Sequence, residues 1–172
     1  MKELKGGYKM TETIRKKFMA IILTLAMVIS FIPAMTLTVE AEGEVWDGVM
    51  PDYNYASTFS GGSGSPGDPY LISTASALAQ LSVNVNNGLN YSGRYFKMTA
   101  DIVLNNNTSD YTNWGDIEPA NTWIPIGIEV SYYFQGTFDG DGHTVSGIYI
   151  NDPNSNSLGL FGRVFGNTIK NV

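Results

Sequence analysis

Asp139, Asp141 and His143 fall within one short run, Asp139-Gly-Asp-Gly-His143, and His143 is the only histidine of the chain. Paired carboxylates beside an imidazole are the groups that acid–base work on a glycosidic bond requires. Aspartates separated by glycine also suit calcium, which gathers several oxygen ligands. The run lacks the continuation and closing glutamate of an EF-hand loop. Aspartate and glycine equally dominate tight turns, because both tolerate left-handed backbone angles. A turn followed by an ordinary packed or half-exposed histidine is the reading these residues favour. Calcium and catalysis are the competing ones.

Asp110, Asp116, Glu118 and Glu129 lie in polar stretches around Trp114 and Trp123. Aromatic rings beside acids can hold carbohydrate by stacking and hydrogen bonding. Trp123 is followed by Ile124 and Ile126 and is expected inside the fold, whereas Trp114 sits among polar residues and is the better candidate for an exposed contact. Tyr132 and Tyr133 precede Phe134 and are expected on a partly exposed strand face. The run Asn105 to Thr108 matches a glycosylation acceptor, which receives little weight here. No Gly-Lys-Ser/Thr phosphate loop, Gly-x-Ser-x-Gly elbow or His-Glu-x-x-His helix occurs. No residue is therefore assigned a catalytic, cofactor-binding or metal-binding role, and the chain is not expected to be an enzyme.

The elements that position these residues follow an N-terminal region of different character. Lys2, Lys5, Lys9, Arg15, Lys16 and Lys17 form a basic leader, Met19 to Ile32 an apolar run, and Val39-Glu40-Ala41 a site of the A-x-A type. Together these describe a secretory signal peptide over residues 1–41, with Met10 an alternative start. The apolar run is short for a membrane span, which needs about 20 residues; an uncleaved anchor is the competing reading. The leader holds six of ten basic and three of sixteen acidic residues, so the mature part carries four against thirteen, a net charge of −9. Such acidity disfavours nucleic acid, whose binding depends on Lys and Arg at the phosphates, and keeps an exported protein soluble. With no cysteine, disulfides, thiol catalysis and a lipoprotein anchor are excluded.

Residues 42–67 are rich in Gly, Ser and acids and read as a flexible lead-in. Ordered structure is expected from Asp68, with Pro69 placing the first strand at an edge. Leu78, Leu81 and Val85 recur at helical spacing, Ser73 or Thr74 can cap the start, and Asn86-Asn87-Gly88 can end it. Gln80, Ser82 and Asn84 then fall on an outward polar face. Short strands follow over 95–104, 123–126, 133–138, 144–150 and 168–172, separated by Gly and Asp or Asn clusters. Thr144-Val-Ser-Gly-Ile148 is echoed by Thr168-Ile-Lys-Asn-Val172 at a shift of 24, and Ile102, Ile126 and Ile150 share that spacing. Strands at such a period suggest a coil of parallel turns, each covered by its neighbours. The helix would cap the first turn. Nothing comparable caps the last, so residues 68–172 are expected to be the front of a longer domain.

Gly62-Ser-Gly-Ser-Pro-Gly-Asp-Pro-Tyr-Leu-Ile72, a short helix and Tyr95-Phe-Lys-Met-Thr-Ala-Asp-Ile102 resemble the beginning of a large group of bacterial surface proteins. Trp123-Ile-Pro-Ile-Gly127 and Phe134 to Val145 resemble the same group further on, and Gly159-Leu-Phe-Gly162 is similar to its GLUG motif. The resemblance covers about residues 61–172. It implies an all-β fold, a pectate-lyase-like right-handed parallel β-helix, in a secreted or cell-surface protein. Ser76 and Ala77 stand where that group often has an acidic residue after the helix cap. The expected function is a non-catalytic extracellular scaffold or adhesin-like region presenting further modules. Its expected partners are cell-wall or host carbohydrate or a surface protein, with no cofactor and no stable membrane span after cleavage. The alternative is the leading part of a secreted polysaccharide-degrading enzyme or peptidase whose catalytic part lies beyond Val172.

Overall fold

The computed structural model describes residues 44–54, 59–106, 108–166 and 168–172, so the expected signal peptide lies outside them. Glu42–Val172 forms one compact unit. Strands β1 (Tyr70–Ile72), β2 (Tyr95–Met98), β4 (Thr137–Asp139) and β6 (Ile169–Lys170) form a sheet in the order β1-β2-β4-β6. Every neighbouring pair in it is parallel. A second pair, β3 (Ile102–Val103) and β5 (Val145–Ser146), is also parallel, and Val45 bridges in parallel to Val103. Single parallel bridges join Ile126 to Phe161 and Phe134 to Val164. Parallel neighbours require the chain to travel away and return between them. Among the described residues the fold is thus short strands in parallel sheets with a single α-helix.

The 24-residue period does not set this stacking. Tyr70 lies beside Phe96, Phe96 beside Phe138 and Phe138 beside Ile169, offsets of 26, 42 and 31. Ile102 pairs with Val145, and Ile126 is bridged to Phe161, so neither isoleucine stacks on the other. Inter-strand pairing fixes the strands, whereas the connections between them are free to differ in length. The long middle return contains residues 105–121, a polar stretch with a 3-10 turn at Thr108–Asn113.

Strand alternation sorts side chains between core and surface. In β2, Phe96 and Met98 are buried while Tyr95 and Lys97 are only partly covered. Aromatic rings then run through the core. Tyr91 meets Phe96 at 4.9 Å between ring centres, Phe96 meets Phe134 at 5.7 Å, and Phe161 touches both Phe134 and Phe138. Each large apolar side chain removed from water contributes about 1.5–3 kcal/mol.

Helix α1 (Ala75–Asn86) begins where the Thr74 hydroxyl accepts the Ala77 N–H at 3.1 Å. It packs against β1, the edge strand that Pro69 leads into. Leu78, Leu81 and Val85 are fully buried, as their spacing predicts. The expected polar outer face is a correction: Gln80, Ser82 and Asn84 are 4%, 0% and 0% exposed. They are buried because each has hydrogen-bonding partners. The Gln80 amide donates to the Asp52 carbonyl and to Asn84 Oδ1, and Asn84 donates to the Tyr91 hydroxyl at 2.8 Å. Burial pushes the Tyr91 hydroxyl up to about 12, with the Asn84 bond opposing it. Ser82 donates to the Ile124 carbonyl at 2.7 Å. Asn86 donates to the Pro125 carbonyl and accepts the Gly127 and Ile128 N–H groups at 2.9 and 3.1 Å. The helix is sewn to the neighbouring turn on its polar side as well as packed on its apolar side.

Part of the stretch expected to be a flexible lead-in is built into the fold. Trp46 is buried, meets Trp123 edge to face at 5.9 Å, and donates its backbone N–H to the Val103 carbonyl. The glycine-rich run also forms a fixed turn, in which Leu71 donates to Gly61 and Ser63 to Asp68. Glycine is required at positions 62 and 64, where φ is +82° and +76° and a Cβ would lie 1.8 Å from the Pro69 oxygen or 2.3 Å from the Tyr70 ring. Composition suggested chain freedom; close approach is the physical reason for these glycines.

Candidate functional site

The Asp139–His143 run forms a turn, with Asp141 in the left-handed region at φ +54°. Register decides what its carboxylates do. Lys97 on β2 and Lys170 on β6 lie in line with Asp139 on β4, so positive, negative and positive side chains alternate up the sheet. Lys170 Nζ meets Asp139 Oδ2 and Lys97 Nζ meets Asp141 Oδ2, both at 2.9 Å. Asp139 Oδ1 also accepts from Asn171 and from the Asp141 N–H. Lys170 first, then Asn171 and the Asp141 N–H, hold the Asp139 carboxyl down at about 2. His143 Nδ1 lies 3.2 Å from Asp101 Oδ1, which also accepts the Thr144 N–H at 2.8 Å. Those contacts, the Thr144 bond foremost, keep Asp101 below the ordinary aspartate range.

A general acid needs a carboxyl that stays protonated near neutral pH. Asp139 is driven the opposite way. Asp139 and Asp141 each take a different lysine, and His143 turns to Asp101, so the three do not converge on one point. Among the described residues no group of three or more His, Asp or Glu side chains could hold a metal ion. What the run does is join three successive turns by ion pairs and turn hydrogen bonds. Lys97, Asp101, Lys170 and Asn171 are the partners that sequence reasoning missed. Their distances along the chain give no clue until the strand register is known.

The second group separates into two kinds. Trp123 is buried against Trp46, and its N–H reaches the Leu160 carbonyl at 3.3 Å. Tyr132 is 38% exposed and lies over Gly88, and Tyr133 meets Phe165 at 5.5 Å; Glu129 is exposed and joins Tyr132 in an antiparallel bridge. None of these converges with the acids at 116 and 118.

Trp114 and Glu118 do share a place. Both belong to an excursion, residues 106–120, that leaves the stack after β3 and rejoins it before Trp123. Two buried asparagines close its neck. Asn105 Oδ1 accepts the Asn121 N–H at 3.0 Å, and Asn105 Nδ2 donates to the Asn121 and Gly147 carbonyls at 2.9 and 2.8 Å. Asn121 Nδ2 reaches the Leu104 and Trp46 carbonyls. Asn105, which opens the glycosylation-like run, is a buried clamp, whereas Asn106, the asparagine two before Thr108, is exposed; Asn107 lies outside the described residues.

Beyond the neck, Trp114 stands perpendicular to Tyr149, 5.8 Å between ring centres. Glu118 Oε1 accepts from Asn151 Nδ2 at 2.8 Å. Desolvation, and then the Glu118 carboxylate that it hydrogen-bonds, push the Tyr149 hydroxyl above its ordinary value. Tyr111 and Ile117 stand outward, 66% and 69% exposed. Asp116 is exposed; the side chain of Asp110 lies outside those described. Tyr149 and Asn151 come from the wall the excursion leans on, about thirty residues later in sequence, and composition gave no sign of either.

No family model and no solved structure matches the chain. Two curated proteins are similar to part of it. A protein described as a Gly-rich membrane protein, from Evansella cellulosilytica, is 36% identical over 108 residues, 62% of this chain and 11% of that protein. Halomucin from Haloquadratum walsbyi is 33% identical over 103 residues, 60% of this chain and 1% of that protein. The chain thus spans a small fraction of the length of the relatives it matches, one named for a membrane and the other a halomucin.

Proposed function

We propose that this chain is a non-catalytic extracellular scaffold, the capped beginning of a right-handed parallel β-helix of the GLUG-bearing kind, which carries exposed excursions and further modules outside the cell. The observation that carries the reading is the return of β1, β2, β4 and β6 to one parallel wall, with α1 against the β1 edge. Such a stack gains stability turn by turn, because each new strand hydrogen-bonds to the one before it. Its polar groups serve the same end. The lysine–aspartate pairs, the Asn105–Asn121 clamp and the α1 amides all link one turn to the next. The relatives' names and the leader-like N-terminus support a place at the cell surface.

The test is to express the full chain, with a reporter module fused after Val172, in a bacterial host and recover it from outside the cell. The product is expected to begin at Glu42 and to resist protease as one block, with cuts confined to residues 106–120, where the backbone leaves the hydrogen-bonded stack. Retention in the cytoplasm with the leader intact, or degradation throughout, overturns the proposal.

A further inference from the structure

The excursion at residues 106–120 is not needed to stack the strands. The turns on either side of it return in 26 and 31 residues, against 42 for the one that contains it. Long connections in compact folds are usually functional or disordered. This one has a built neck, since Asn105 and Asn121 are buried and bonded to each other and to both adjoining turns. Five hydrogen bonds of these two side chains fix where the excursion emerges. Its tip then leans on Tyr149 and Asn151 and leaves Tyr111 and Ile117 to solvent. Exposing a large aromatic ring on a polar, anchored loop has no role in the core.

We infer that this excursion, through the exposed Tyr111 ring and the Glu118–Asn151 pair that flanks the half-buried Trp114, binds a neutral polysaccharide. An exposed aromatic ring such as Tyr111 offers a flat apolar surface for the C–H face of a pyranose, while Trp114 is half-buried against Tyr149. A carboxylate and an amide held 2.8 Å apart supply the acceptor and donor that neighbouring sugar hydroxyls need. Polar groups set on an aromatic platform are the usual makeup of a specific small-ligand contact. Charge narrows the class of ligand. Between residues 106 and 120 there are three acidic residues and no Lys or Arg, so an anionic polymer would be repelled. The inference rests on the extracellular reading for access to glycans. Its test does not depend on export, so the two can fail separately.

The purified protein is run in native gels containing neutral polymers, namely β-glucan, mannan, xylan and galactan, with polygalacturonate and chitosan as charged controls. At least one neutral polymer is expected to retard the protein, in a manner insensitive to moderate salt. Tyr111→Ala is expected to weaken that binding about tenfold, the cost of losing one central aromatic contact. Its melting temperature should not change, because Tyr111 is largely exposed. Glu118→Gln keeps an acceptor in place and should weaken binding less. The inference is overturned if no neutral polymer retards the protein, or if Tyr111→Ala binds as the wild type does. Retardation by chitosan alone, abolished by salt, also overturns it, since the contact would then be electrostatic.

Discussion

The two ends of the strand stack are held by different physics. At the β1 edge, α1 is enclosed on both its apolar and its polar sides, and Leu78, Leu81 and Val85 have no exposed surface. At the β6 edge, burial falls away. Leu160, Phe161 and Ile169 are only partly covered, and Val164, Phe165 and Val172 are exposed. β6 is secured by its parallel pairing with β4, by Ile169 half-buried against the core, and by the partly exposed Lys170–Asp139 ion pair. Desolvated contacts are strong and insensitive to salt, whereas exposed ion pairs are weak and screened. Of the two edges described, the β1 edge has the more complete burial.

The largest expected effect tests that gradient directly. Leu81→Ala removes a fully buried side chain at the helix-covered edge and should cost about 2–5 kcal/mol. Phe165→Ala removes a larger side chain that is 63% exposed on the β6 side, and should change stability by less than about 0.5 kcal/mol. Urea unfolding of both variants decides it. Equal costs would show that the two ends are equivalently packed in solution and would remove the contrast.

The polar side of α1 gives the next effect in size. Asn86→Ala deprives the Gly127 and Ile128 N–H groups of their acceptor and the Pro125 carbonyl of a donor. Leaving buried backbone groups unpaired costs about 1–3 kcal/mol. Asn86→Asp retains the acceptor and loses the donor, so its unfolding midpoint should fall between those of Asn86→Ala and the wild type. If Asn86→Ala is as stable as the wild type, the helix is held by its apolar face alone, as its sequence pattern suggests.

That pattern marks where the sequence is legible and where it stops being so. Thr74, Leu78, Leu81 and Val85 announce the helix through contacts within a few residues of one another. The burial of Ser82 depends on the Ile124 and Pro125 carbonyls, 42 and 43 residues away, which no local rule can supply. The expected strand at 123–126 is reduced to a single bridge at Ile126, and those at 133–138 and 144–150 are shorter. Most strands were legible from their apolar alternation and turn residues, and the edge position of β1 from Pro69. Their register was not, because the 24-residue echo is a likeness of composition between turns of unequal length. The excursion at 106–120 upset the period. In the site, Asp139 and Asp141 were legible as turn residues, while the lysines that neutralise them appear only once β2, β4 and β6 are aligned. Trp114, expected to be an exposed contact, is half-buried because it packs on Tyr149, a companion that no local rule supplies.

The smallest expected effect concerns the ion pair that ties β6 to the stack. Asp139 has its pKa lowered from 3.8 to about 2, first by Lys170. A carboxyl whose folded value is depressed stabilises the fold above its unfolded value, and that contribution is lost as pH falls through the folded one. The window is therefore about pH 4 down to 2. Lys170 is half exposed, so screening by solvent makes the contribution modest. Asp101, also depressed, acts in the same direction and remains in an Asp139→Asn variant. Melting curves of the wild type and Asp139→Asn should differ slightly near pH 5 and converge toward pH 2, with added salt narrowing the gap at pH 5. A gap that stays constant from pH 5 to 2 would mean that Asp139 acts through its turn hydrogen bonds and not its charge. The β6 side would then be held by strand pairing and its partly buried apolar contacts.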